Sequence, residues 1–166
     1  ANEAALAALR QRKHRPGKAF AVMVASVEEA RAHCEVNDAE ARQLTSPARP
    51  IVLLRKRSDA AFAKGLADNL PELGVMLPTT PVQHLLLHEC GGMLVMTSGN
   101  IHDEPIVIDE EAAFSQLAGV ADAFLVNNRE IVGRYDDSVI RILDGGAAGD
   151  IVQFIRRARG YAQLPV

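Results

Sequence analysis

Apolar runs of strand length, each stopped by proline, glycine or polar residues, recur along the whole sequence and alternate with segments that carry helix start and stop signals. Residues 20–25 (FAVMVA), 51–56 (IVLLRK), 93–96 (MLVM), 138–143 (SVIRIL) and 151–158 (IVQFIRRA) are rich in β-branched side chains and read as strands. Residues 75–78 (VMLP) add a brief extended piece and 121–127 (ADAFLVN) a further strand. Between them, residues 2–13 are strong helix formers that stop before Pro16 and Gly17. Ser26 caps VEEARAHC, and residues 38–44, 59–70 and 109–118 follow helical patterns. Pro81 suits the first position of the helix PVQHLLLHEC, which Gly91 and Gly92 stop. Strand and helix alternation predicts an α/β fold with a twisted mixed β-sheet flanked by helices; the last two strands form an antiparallel hairpin around Gly145, Gly146 and Gly149.

A chain of 166 residues without repeats or a long linker is expected to make one domain, residues 1–166. At 48% apolar and 23% charged it has the composition of a protein with a buried core. No apolar run approaches the roughly 20 residues that span a bilayer, and the charges of the first 15 residues follow the apolar patch, unlike a secretory signal. Cys34 and Cys90 are too few for a disulfide framework and form no CxxC pair, so a cytoplasmic location without a membrane is expected.

The formal charge is −3, yet the cations are clustered: Arg10, Arg12, Lys13, Arg15 and Lys18; then Arg55, Lys56 and Arg57; then Arg156, Arg157 and Arg159. Confined clusters in an acidic chain suit a local anion site better than a broad duplex-binding face. Solvated surface is the plain alternative for each.

Three polar segments sit at strand ends, where open α/β sheets bind ligands. Thr97, Ser98, Gly99 and Asn100 follow MLVM and offer hydroxyl, amide and backbone donors for phosphate or sugar, or else form an ordinary turn. Lys13 and Arg15 precede Pro16, a mobile point charge beside a planar fork, which suits polyphosphate. Asp136 and Asp137 precede a strand and serve either as Mg²⁺ ligands or as internal ion-pair partners, the second being favoured. His84 and His88 share a helix face, but the spacing is not HExxH and no metal site is assigned. No nucleophile motif appears, so covalent catalysis is not expected.

Taken in order, residues 9–23 (LRQRKHRPGKAFAVM), 49–56 (RPIVLLRK), 73–87 (LGVMLPTTPVQHLLL), 94–100 (LVMTSGN) with DEPI, 127–141 (NNREIVGRYDDSVIR) and 154–161 (FIRRARGY) resemble the YrdC-like domain of the HypF carbamoyltransferases. The likeness covers almost the whole chain. It implies a YrdC-like fold with an open, concave basic cavity that binds ATP, with Mg²⁺ as cofactor, and joins carbamate, supplied as such or from carbamoyl phosphate, to AMP. Carbamoyl adenylate then passes to the remaining HypF domains and to the partner HypE, for the cyanide ligands of [NiFe]-hydrogenase. The family's Lys-x-Arg motif falls on Lys13 and Arg15, expected as catalytic residues and nucleotide contacts. Its Ser-x-Asn motif falls on Ser98 and Asn100, beside Thr97. Ser138, Arg141 and Arg157 complete the implied nucleotide contacts.

The pattern departs at Ala19, Gln83 and Asn127, where proline, histidine and histidine are usual. The glycine-rich strand and helix that precede this region in the family are absent from the sequence, so an incomplete, fragment-like domain is expected. Two alternatives share the motifs: threonylcarbamoyl-adenylate synthesis for tRNA modification, and a non-catalytic module binding RNA, including double-stranded RNA, which is not favoured.

Overall fold

A computed structural model describes residues 2–162. Helix α1 (Glu3–Arg12) begins where the Asn2 side chain accepts from the backbone of Ala4 and Ala5. Strand β1 (Ala21–Met23) leads to α2 (Val27–His33), capped by Ser26. Helix α3 (Asp38–Thr45) opens with a capping box between Asn37 and Glu40. Strands β2 (Ile51–Arg55) and β3 (Glu72–Met76) follow; then α4 (Pro81–Cys90), capped by Thr80 with Pro81 at its start and left-handed Gly91 at its end. Strand β4 (Leu94–Met96), helix α5 (Glu110–Gln116) and the hairpin β5 (Val139–Asp144) and β6 (Asp150–Arg156) complete the order.

The six strands form one sheet in the order β4-β1-β3-β2-β5-β6. Strand β1 pairs parallel with β3 and β2 parallel with β5, while β1–β4, β2–β3 and β5–β6 are antiparallel. The expected α/β class, mixed sheet and terminal hairpin are all present.

Alternation along the strands divides the sheet into two unlike faces. Val22, Val52, Leu54, Leu73, Val75 and Ile140 point to one side and are buried with Leu6 of α1, Val27 and Ala30 of α2 and Leu44 of α3. The other side carries Met23, Ile51 and Met76, covered at one end by Leu87 of α4. The remainder of that face is uncovered, and the candidate site lies there.

Two expected elements do not form. Residues 59–70 make turns rather than a helix: Gly65 (φ +92°) and Asn69 (φ +58°) are left-handed, and Phe20 N–H donates to Leu66 O, so the segment lies along the approach to β1. Leu66 and Ala67 still reach the core, which accounts for the apolar spacing. Residues 121–127 are irregular, not a strand; Phe124, Leu125 and Val126 are all exposed, with no ladder partner among the described residues. Strand β3 begins at Glu72, three residues before the short piece expected at 75–78. No described helix is long and apolar enough to cross a membrane.

Cys34 and Cys90 are both free thiols. Burial pushes the Cys34 thiol up to about 11, with Glu40 adding to the effect and Lys56 opposing it. A raised thiol pKa stabilises the fold below the unfolded value near 9 and loses that contribution as pH climbs through 11. Unfolding free energy of the chain, measured against Cys34→Ala across this window, should fall by about 2–3 kcal/mol more steeply. Parallel pH profiles for the two proteins would contradict it.

Candidate functional site

A hollow of about 240 Å³ opens on the uncovered sheet face. Its floor is apolar, built by Ala21, Ile51, Leu53, Gly74, Met76, Met96 and Val139 from five strands. Gly74 adds no side chain to that floor, where a Cβ would crowd Ile51 Cγ2 at 3.0 Å and Ala21 Cβ at 3.4 Å. Its rim is polar and comes from four chain segments: Arg15, Thr97 and Ser98, Asp136 and Asp137, and Arg156.

Arg15 leaves the turn after α1, where His14 adopts φ +51°. Its guanidinium lies 5.0 Å from the Phe20 ring centre and donates from Nη2 to Ala19 O at 2.7 Å. Arg10 stacks on the same ring at 4.6 Å. It fixes the turn by donating to Gly65 O, to Arg15 O and to Lys18 O, the last two at 2.9 Å. Arg10 sits in the last turn of α1, where a cation also suits the helix dipole, and its three carbonyl partners give it a second task. Burial, then Arg10 and Arg156, disfavour the charge on Arg15, and Asp136 opposes them.

Lys13 and Asn100 stand behind the rim. Lys13 is 2% exposed, and its ammonium donates to Ser98 O and Asn100 O, both at 2.6 Å, with Asn100 Oδ1 at 3.4 Å. Burial, reinforced by Arg15, holds its pKa below the usual lysine range. Ser98 Oγ donates to Asn100 Oδ1 at 2.6 Å, and Asn100 Nδ2 donates to Glu104 O at 2.6 Å. The Lys-x-Arg and Ser-x-Asn pairs therefore meet in space, with lysine gripping the backbone of the 97–100 loop rather than facing the hollow.

Three other expected contacts are spent elsewhere. Ser138 is fully buried: its hydroxyl donates to Arg159 O at 2.9 Å and accepts from Ala158 N–H at 2.8 Å, which ties β5 to the segment after β6. Arg141 pairs with Glu72 through Nε at 2.9 Å and Nη2 at 2.5 Å and reaches Gln153 at 3.3 Å. Arg157 lies exposed beyond β6 and does not line the hollow; Arg156 does. The register pairs Arg156 with Val139, a floor residue, and a sequence motif match one residue along could not distinguish them.

Asp136 and Asp137 act as ion-pair partners. Asp136 Oδ2 lies 2.7 Å from Arg156 Nη1, and Asp137 Oδ1 accepts from Arg159 at 2.6 and 2.9 Å. Among the described residues no group of three or more His, Cys, Asp or Glu is placed to hold a metal ion. The two aspartates of the rim are paired with arginines instead.

A family model covering the Sua5, YciO and YrdC proteins, described as telomere recombination, matches residues 1–158. The chain belongs to this family. It is 49% identical to the carbamoyltransferase HypF2 of Cupriavidus necator over 96% of its length, covering 21% of that protein. It is 44% identical to the carbamoyltransferase HypF of Synechocystis, covering 95% of the chain and 20% of the relative. The crystal structure of full-length HypF in the phosphate- and nucleotide-bound form superposes with a TM-score of 0.91 at 50% identity, over 97% of this chain and 25% of that one. The structure of P. abyssi Sua5 complexed with L-threonine superposes at 0.76 with 17% identity, a likeness of fold alone. The chain thus corresponds to a YrdC-like portion of HypF proteins, about a fifth of the length of the curated relatives it matches.

Proposed function

We propose that the hollow binds Mg·ATP and carbamate and forms carbamoyl adenylate, releasing pyrophosphate, as the first half of a carbamoyltransferase reaction completed by the remaining domains of a HypF-type protein on HypE. The observation that carries this reading is the convergence of Arg15, Arg156 and Ser98 over an apolar floor, in a chain half identical to a HypF solved with phosphate and nucleotide. An apolar floor suits a flat base, and two guanidiniums with a hydroxyl suit phosphate oxygens.

The chemistry asks little more of the protein. A carbamate oxygen attacks the α-phosphorus, a P–O bond forms there, and the bond to the β-phosphate oxygen breaks with its electron pair leaving on pyrophosphate. Carbamate is already an anion, so no base is needed; alignment and neutralisation of charge lower the barrier. Arg15 and Arg156 supply that neutralisation, and Mg²⁺ enters with the nucleotide.

A continuous RNA-binding face receives less support. Arg12, Arg31, Arg42, Arg55 and Arg57 are each paired with a carboxylate at 4 Å or less, so the outer cations do not combine into one stripe.

Calorimetry with Mg·ATP should give a dissociation constant at least about 10-fold weaker for Arg15→Gln and for Ser98→Ala than for the unaltered chain. Equal affinities would remove the nucleotide site. Pyrophosphate exchange into ATP, run in the full-length protein, should not respond to threonine; stimulation by threonine would favour threonylcarbamoyl-adenylate synthesis instead.

A further inference from the structure

Arg15 reaches the hollow from the irregular stretch between α1 and β1, not from a helix or a strand. A loose support would spread its guanidinium over many orientations and weaken every bond it makes to a ligand. Residues outside the hollow supply the support. Arg10 donates to Gly65 O from Nε at 2.8 Å and from Nη2, and its Nη1 donates to Arg15 O and Lys18 O, both at 2.9 Å. One planar group therefore ties two points of the turn to a loop distant in the chain. That loop is shaped to receive it: both carboxylate oxygens of Asp68 accept from Gly65 N–H at 2.9 Å, with Gly65 at φ +92°. The next carbonyl, Leu66 O, accepts from Phe20 N–H at 3.0 Å. A helix over 59–70 would have consumed both carbonyls internally, so the irregular backbone of this segment is what frees them for the turn.

Electrostatics gives no reason for this arrangement. The guanidiniums of Arg10 and Arg15 lie 4.6 and 5.0 Å from the centre of one Phe20 ring, and the charge of Arg10 works against that of Arg15. Nor does Arg10 line the hollow. It borders a separate cavity of about 640 Å³, on whose wall Ala19 is the residue shared with the hollow. What Arg10 supplies is geometry: Arg15 O is held by Arg10, and Arg15 Nη2 is held by Ala19 O at 2.7 Å, so main chain and side chain of Arg15 are both tied to the braced turn.

We infer that Arg10 is a positioning residue for the reaction: braced on Gly65 O, it fixes the turn that aims Arg15 into the hollow, without itself touching substrate. This inference rests on the nucleotide reading for the identity of what Arg15 meets; the brace stands on its own geometry. It gives the segment 64–68 a part in ligand binding from outside the hollow.

Two measurements test it on the unaltered chain, Arg10→Gln, Arg10→Lys, Arg15→Gln and the double variant Arg10→Gln with Arg15→Gln. The first follows the Arg15 Nε–H resonance by proton–nitrogen NMR, assigned through its absence from Arg15→Gln. The second is calorimetry with Mg·ATP. Lysine keeps the charge and the stem, but one nitrogen cannot span carbonyls at residues 15, 18 and 65 as a planar fork does, and it provides a folded comparison should Arg10→Gln not fold. In either Arg10 variant the Arg15 resonance should move to the position of a freely rotating arginine, and Mg·ATP affinity should weaken about 10-fold. On the Arg15→Gln background the Arg10 substitution should change affinity by less than about 2-fold, because its effect passes through the guanidinium already removed. Equal weakening on both backgrounds would make Arg10 a general structural residue and overturn the inference. So would an unmoved Arg15 resonance, or an affinity unchanged by either Arg10 substitution. An unaltered chain that bound no Mg·ATP, with an Arg15 resonance still dependent on Arg10, would support the brace and count against the nucleotide reading alone.

Discussion

Lys13→Met should destabilise the chain by about 2–5 kcal/mol and weaken Mg·ATP binding more than any substitution on the rim itself. Methionine matches the length of lysine and keeps the apolar stem packed, so the change isolates the ammonium. That ammonium is the hydrogen-bond donor held between Ser98 O and Asn100 O, and its loss strands two carbonyls in a place where the lysine itself is 2% exposed. The loop then loses its registration on α1, and Ser98 and Thr97 leave the rim together. Denaturant melts with Mg·ATP titrations on the same samples check this. If stability stayed within about 1 kcal/mol while nucleotide affinity collapsed, the ammonium would be a phosphate ligand rather than the anchor of the loop.

Gly160→Ala carries the second large effect, although residue 160 does not line the hollow. Gly160 sits at φ +83°, and a Cβ there would lie 2.7 Å from Ala48 Cβ and 2.8 Å from Ala48 Cα. A backbone atom cannot step aside as a flexible side chain would. The surrounding chain is also pinned, since Arg159 N–H donates to Asp136 O at 3.1 Å and the Arg159 guanidinium bonds Asp137 and Arg49 O. A left-handed alanine costs about 1–2 kcal/mol and the overlap about 1–3 more. For a domain of this size that corresponds to a drop of roughly 5–15 °C in the unfolding midpoint. Nucleotide affinity should fall with it, because displacing Arg159 moves Asp136 and Asp137 on the rim. A midpoint within 1 °C of the unaltered chain would show that the segment yields freely.

Where a local signal and its physical cause lie close together in the chain, the sequence could be read directly. The cap Ser26, the leading Pro81 and the stop at Gly91 place α2 and α4 almost to the residue. The β-branched runs place five of six strands, since a buried strand needs little beyond its own side chains. Residues 59–70 and 121–127 misled for opposite reasons. The first uses helical spacing to send Leu66 and Ala67 into the core from a turn, and the second carries strand composition without a neighbour to pair with. Position within a motif proved a weaker guide than direction. Ser138, Arg141 and Lys13 are the right residue types in the right neighbourhood, yet register and burial commit them to backbone or to Glu72. Arg156 was legible only through its pairing with Val139, and Arg10 only through the carbonyls it gathers from three separate points of the chain.

The contact between Asp136 and Arg156 has a consequence for discrimination among anions. A ligand that binds through Arg156 must compete with a resident carboxylate for that guanidinium, so it is favoured there when it brings more negative charge, or more acceptor atoms, than the aspartate it displaces. At that one guanidinium the balance tips toward a polyphosphate chain and away from a lone monovalent anion, a preference set by valence instead of shape.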